Sequence, residues 1–398
     1  MSNIPKLRFP EFSGEWEEKN FYEVFDILQN NTFSRDQLNN ENGIVRNIHY
    51  GDVLIKYGDY IDCQKEKLPF INLENNLSKY EDTSYVKNGD IIIADTAEDY
   101  TAGKVTEICN VKDYKILSGL HTFLCRTKFE FASKFLGYKL NSSSYHNQIA
   151  PLVAGTKVYS INRKAIGETT ITYPSKAEQQ KIADFLSNVD SIITAETKIL
   201  NTLQKKKKAL MQKLFTRQLR FKSADGTDFP EWEEKKLGDV CEEFKAGKTI
   251  TSHDISEKGE YPVYGGNGLR GYYNEFNHDG YYVLIGRQGA LCGNINEVQG
   301  KTYISEHAIA IKANDDNLSK YLFFFLDYCN LNQYSESSAQ PGLSVQKLII
   351  KQFSFPCKAE QQKIADCLSS LDSLIQNQQK VVITWQQRKK ALLQQMFV

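Results

Sequence analysis

The sequence predicts an α+β protein in which two β-rich bodies are separated by two long antiparallel coiled-coil helices, the halves being related by a pseudo-twofold internal repeat. Three observations carry this expectation. AEQQKIAD at 177–184 recurs at 359–366, and KKKALMQKLF at 206–215 recurs as RKKALLQQMF at 388–397, both at an offset of 182, with 22 of the 39 aligned positions identical. Both copies lack Pro and Gly, and their apolar residues alternate at spacings of four and three, which is the seam of a coiled coil. Short β-rich runs at 90–95, 281–286 and 308–313, with turn dipeptides at 42–43, 267–268 and 279–280, fill the remainder.

Taken in chain order, LRF at 7–9 and WEEK at 16–19 form a lead-in that returns as LRF at 219–221 and WEEK at 232–235. Each half is then a lead-in, a variable body and a helix. The bodies, roughly 20–175 and 236–356, share only echoes, such as 118–126 against 305–313 and Lys134-Phe135-Leu136 against Lys320-Tyr321-Leu322. Each is expected to be an antiparallel or mixed sheet with one or two short helices, one of them near 319–329. The first seam runs Ile182, Leu186, Val189, Ile193, Glu196, Leu200, Leu203, Lys207, Leu210, Leu214, and the second Ile364, Leu368, Leu371, Ile375, Gln378, Val382, Trp385, Lys389, Leu392, Met396. The polar members stand at equivalent places, Glu196 with Gln378 and Lys207 with Lys389, where they set register at some cost in stability. Each helix leaves its body abruptly, after Tyr173-Pro174 and after Phe355-Pro356. Pairing within the molecule therefore requires the second helix to run back along the first.

Composition narrows the chemistry. The chain has 398 residues, 41% of them apolar and 25% charged, which suits folded domains with sizeable cores. No run approaches the 18 apolar residues of a membrane helix, and the opening MSNIPKLRFPEF lacks a secretory apolar stretch, so a cytoplasmic protein is expected. Forty-nine basic residues balance forty-nine acidic ones, but the basic charge is concentrated: nine against four in 177–220, six against three in 358–398. The eight cysteines show no CxxC pair, and no histidine has another three or four residues away, so no metal site is expected. Gly247-Lys248-Thr249 lacks the Gly a P-loop needs at 242, which is Glu242. Gly266 to Gly271 fits GxGxxG but is followed by aromatic and turn residues in place of a helix start. No two of the nine prolines are adjacent, which removes the Pro-Pro-aromatic centre of amino-methyltransferases. His121 and His307 occupy equivalent positions, and a structural role is the expectation for both.

The order of body, helix, second body and matching helix resembles the specificity subunits of type I restriction-modification systems. TYPSKAEQQKIAD and SFPCKAEQQKIAD carry most of the likeness, with YPVYGGNGLRGYY, YYVLIGRQGALCGNI and SAQPGLS in the second body. The resemblance covers the whole chain and implies target-recognition domains at 1–175 and 219–357, with conserved spacer helices at 176–218 and 358–398. It implies a noncatalytic subunit that reads a bipartite, asymmetric site in double-stranded DNA and docks two methyltransferase (M) subunits, with two restriction/translocase (R) subunits joining them. No cofactor is expected on this chain; S-adenosylmethionine, and ATP with Mg2+, would belong to the partners. Side chains suited to base readout stand at Arg35, Lys56, Tyr57, Thr96, Lys104 and Lys157 in the first body, and at Lys248, Asn267, Arg270, Arg287, Gln288, Ser338 and Gln340 in the second. Each also fits a solvated loop residue. The Lys205 to Lys208 run suits a phosphate or partner contact as well as it suits a solvated helix face. A coiled-coil adaptor that joins two protein-binding modules without reading DNA is the alternative from another class.

Overall fold

The computed structural model describes residues 3–155, 157–289, 291–335 and 342–398. The chain divides into two compact units, Met1–Thr197 with Val381–Val398, and Lys198–Lys380. In the first, Phe25–Leu28, Thr122–Thr127, Ile91–Ala94, Val105–Cys109 and Tyr60–Asp62 form a five-stranded sheet in that order. Only its last pair is parallel. A smaller sheet orders Lys115–Ser118, Val45–Ile48, Phe70–Ile71 and Leu38–Asn39. Short helices are more numerous than expected, at Phe21–Val24, Tyr50–Ile55, Phe135–Leu140, Ser143–Ile149 and Arg163–Gly167. One of them has a buried anchor: the Glu107 carboxylate accepts from the amides of Lys134 and Gly137 (2.9 Å), while burial pushes its pKa up to about 7.

In the second unit, Cys241–Ala246, Ala308–Ala313, Tyr281–Gly286 and Ile295–Gln299 form an antiparallel sheet. Its order is that of the first four strands of the five-stranded sheet. Gly268–Tyr273, Tyr261–Gly265 and Tyr303–Ile304 make a second layer. Asn267-Gly268 closes a hairpin between two of these strands, with Gly268 at φ +97°, a conformation that favours glycine there. The GxGxxG run is thus a β-hairpin. Gly280 turns the chain from one sheet to the other, and Asn42-Gly43 joins strands that are not neighbours. The predicted helix near 319–329 is Ser319–Tyr328, which buries Tyr321, Leu322, Phe324, Phe325 and Leu326.

The repeated lead-ins have a physical reason. WEEK opens the strands Glu17–Asn20 and Glu233–Lys236, which pair antiparallel with Thr170–Tyr173 and Gln352–Phe355, the strands that feed the long helices. Arg8 forks onto Glu178 (2.8 Å twice) and onto the carbonyls of Ser13 and Gly14; Arg220 forks onto Glu360 (3.1 and 2.9 Å) and onto those of Phe229 and Pro230. Gln179 accepts from the Ala132 amide and donates to Pro174 O, as Gln361 does with the Leu318 amide and Pro356 O. The Glu and first Gln of EQQ, both buried, therefore fasten each helix start to its body through paired polar groups, as burial demands, while the second Gln is exposed and bonds an Asp of its own helix.

The long helices are Lys176–Phe215 and Lys358–Met396. All twenty seam positions are buried or half-buried. In the first unit Ile182 and Leu186 share a core with Met396 and Phe397; in the second Met211 and Leu214 share one with Ile364 and Leu368. In each unit, then, the start of one helix packs beside the end of the other. Lys207 lies 2.6 Å from Asp372, and Lys389 lies 2.6 Å from both Asp190 and Asp59. Burial lowers the Lys389 pKa, but the two carboxylates outweigh it and raise the value. Tyr138 and Phe324 lie beneath these lysines at 5.3 and 5.2 Å.

A candidate nucleic-acid interface

In the second unit several strand ends and loops converge on backbone that only glycine permits. Gly266 passes so close to its neighbours that an added Cβ would stand 2.7 Å from Gly286 Cα and 2.8 Å from His307 O, and one on Gly247 would stand 2.3 Å from Ile304 O. The amide of Arg287 donates to His307 O (2.9 Å), that of Glu306 to Lys248 O (3.1 Å) and that of Leu343 to Arg287 O (2.9 Å), while Asn296 donates to Gly266 O (3.2 Å). Lys248, Asn267, Arg287 and Gln288 thereby stand on adjoining loops. His307 Nδ1 lies 3.2 Å from Gln288 Oε1, and its Nε2 lies 3.3 Å from Glu306 Oε1.

The first unit has a comparable meeting of loops. The Asp95 amide donates to His121 O (3.1 Å). His121 Nδ1 lies 3.4 Å from Thr96 Oγ1 and 3.4 Å from Asp95 Oδ1, while the Tyr50 ring stands at 5.3 Å, edge to face. Tyr50 in turn packs on His49, whose ring receives the Gly51 amide and lies 3.4 Å from Arg35. Burial and then the Arg35 guanidinium lower the His49 pKa. Beyond Thr96, the Tyr100 ring lies 4.6 Å from that of Tyr159, tilted by 42°, and Tyr100 is 77% exposed.

Among the predicted contact residues, Lys56, Lys157, Lys248, Asn267, Arg270 and Gln288 are exposed, and Thr96 and Arg287 half-exposed. Arg35 is exposed but forks onto Asp52 at 2.8 and 3.1 Å, so its guanidinium is already engaged. Two residues expected to project do not. Tyr57 is 4% exposed within a core of Ile48, Val53 and Ile61, and burial raises its hydroxyl pKa. Lys104 turns inward to donate to Leu54 O (2.8 Å) and Tyr57 O (3.1 Å), and burial lowers its pKa. Both exceptions have one cause, the Tyr50–Ile55 helix folding back over the sheet. Ser338 and Gln340, with most of SAQPGLS, lie outside the described residues. Lys205, Lys206 and Lys208 are exposed, and Lys207 and Lys208 border a cavity of about 890 Å³ with Asp327, Tyr328 and Tyr334. His121, His307, Asp95 and the Tyr100–Tyr159 pair were not among the residues that sequence singled out for contact. The equal spacing of the histidines from the strands that follow them was the available signal.

Among the described residues no group of three His, Cys, Asp or Glu side chains is placed to hold a metal ion, and no helix is long and apolar enough to cross a membrane. Two halves thus share a strand order, each rooted through its Glu-Gln pair to a long helix. Residues 13–205 and 230–384 match the family model described as type I restriction modification DNA specificity domain, and the chain belongs to that family. It is 42% identical over 151 residues to the Escherichia coli type I restriction enzyme EcoprrI specificity subunit, a match that spans 37% of each chain. It is 24% identical over 418 residues to a putative type I restriction enzyme MjaX specificity subunit of Methanocaldococcus jannaschii, covering 98% of this chain and 95% of that one. The fold is similar to that of the type I restriction-modification S subunit from M. genitalium, with a TM-score of 0.61, 19% identity and 99% of each chain covered.

Proposed function

We propose that this chain is the noncatalytic DNA-recognition subunit of a type I restriction-modification complex and that it reads a bipartite, asymmetric target. Residues 1–175 and 219–357 act as the two target-recognition domains. The helices act as a coiled-coil spacer and dock two M subunits, which carry S-adenosylmethionine, while two R subunits bring ATP and Mg2+ chemistry to the same cytoplasmic assembly. The observation that carries this reading is the recurrence of one strand order with different side chains at corresponding loops. A shared framework with Asp95-Thr96 on one side and Arg287-Gln288 on the other suits an unequal pair of half-sites. Helices of 40 and 39 residues, about 60 Å long at 1.5 Å per residue, are ample to span half-sites about 34–36 Å apart.

The test is sequencing of adenine methylation in DNA from a methylation-negative host that expresses the chain with its cognate M subunit, beside M alone. A split motif that appears only with this chain is the expected result. Exchange of residues 20–175 for those of a relative then changes one half of the motif and leaves the other. If the complex forms, M is active and no motif appears, the reading fails and the adaptor alternative replaces it.

A further inference from the structure

His121 and His307 stand at the same station in the two units. Each immediately precedes a six-residue strand, Thr122–Thr127 or Ala308–Ala313. Those strands pair with Ile91–Ala94 and Tyr281–Gly286 so that Thr122 faces Ala94 and Ala308 faces Gly286. In both units the residue that follows the neighbouring strand, Asp95 or Arg287, donates its amide to the histidine carbonyl, and the one after it, Thr96 or Gln288, meets the ring Nδ1. The rings are 48% and 45% exposed, so neither is a core residue. His121 also holds φ at 53°, a left-handed conformation that Asn, Asp and His adopt more readily than other side chains. What differs is the chemistry alongside: a carboxylate and a hydroxyl in the first unit, a guanidinium and an amide in the second.

We propose that His121 and His307 are matched base-reading residues, one in each recognition unit, and that their neighbours set different preferences: Asp95 for a base that presents an amino group, Arg287 for guanine. This inference rests on the DNA-recognition reading above. Asp95 lies beside His121 and Glu306 beside His307, and a carboxylate next to each ring repels a phosphate while it accepts readily from an exocyclic amino group. The station therefore suits base edges in the major groove, where carboxylates pair with cytosine N4 and arginine forks onto guanine O6 and N7. Arg287 is half-exposed at this station.

The experiment expresses the full chain with its M subunit, wild type beside His121→Ala, Asp95→Asn, His307→Ala and Arg287→Gln, and scores methylation at every position of the motif. The first two variants are expected to relax one position in one half by about 10- to 100-fold, and the last two one position, guanine in the wild-type motif, in the other half. Thermal melts of the purified complexes identify any variant that fails to fold, and its partner at the same station then carries the test. Loss spread evenly over both halves, or a motif unchanged by every folded variant, overturns the assignment while leaving DNA recognition intact. Absence of any motif with the wild-type chain overturns the recognition reading and this inference with it.

Discussion

At the scale of single residues, the two lead-in tryptophans are a natural experiment. Trp232 donates its indole N–H to Glu360 (3.1 Å), a fully buried carboxylate that also holds Arg220, whereas the Trp16 indole N–H is buried without a partner among the described residues. Trp232→Phe removes a hydrogen bond to a charged group and is expected to cost about 1.5–3 kcal/mol in urea unfolding. Trp16→Phe removes an unpaired donor and is expected to cost less, despite contacts of the Trp16 ring with Phe135 and Phe397. Lys139 gives a second contrast. It is 1% exposed, donates to Thr172 (2.7 Å) and to the Val398 carbonyl, and burial lowers its pKa to about 7, against a smaller opposing pull from Glu18. A lysine whose folded pKa is depressed loses stability as pH falls from about 10.5 toward 7, because the unfolded chain takes up the proton first. Between pH 9.5 and pH 7 the wild type is expected to lose on the order of 3 kcal/mol through this group. Lys139→Met should flatten that part of a stability-versus-pH series.

Among the elements, the helices were the part most fully legible in the sequence, because a spacing of four and three is local information. The strands at 281–286 and 308–313 were legible as well. The contact residues were much less so. Tyr57 and Lys104 have the composition of projecting groups but are drawn inward by the fold of a neighbouring helix. Asp95 and His121 are 26 residues apart in sequence and meet only because their strands pair. The EQQ signature stood out as a repeat, yet its reason, a buried fork from an arginine 140 or 170 residues away, lies in the tertiary structure. Two predictions belong at this scale. Leu186→Ala and Leu368→Ala, both fully buried at the helix starts, are each expected to cost about 2–5 kcal/mol in denaturant melts. Lys389→Met is expected to destabilise more than Lys207→Met, since it strands two closely paired carboxylates, Asp59 and Asp190, where the other strands Asp372.

At the scale of the whole molecule, a net charge of zero conceals a sorting of charge onto the helices, with nine basic against four acidic residues in 177–220. Under the proposed function this places positive charge on the elements that face partners and DNA backbone, and leaves base discrimination to a few polar side chains on the loops. Phosphate contact positions a complex and base contact specifies it, so raised salt should weaken binding by the assembled complex without changing the motif it methylates. Filter binding of the complex across a salt series, with methylation mapped at each concentration, checks both parts.

One hydrogen bond has a consequence for how the polypeptide can be wired. Leu219 donates its amide to Lys213 O (3.0 Å) just past the end of the first long helix, and Leu7 donates to Gln395 O (2.9 Å) just before the end of the second. The same joint is built once from continuous chain and once from segments that no peptide bond connects. Covalent continuity at 216–218 is therefore dispensable for the joint itself. A molecule nicked there, by a protease site placed between Thr216 and Gln218, should stay assembled and melt as the intact protein does, and the break could serve as a new pair of ends once Leu7 and Gln395 are bridged by a short linker.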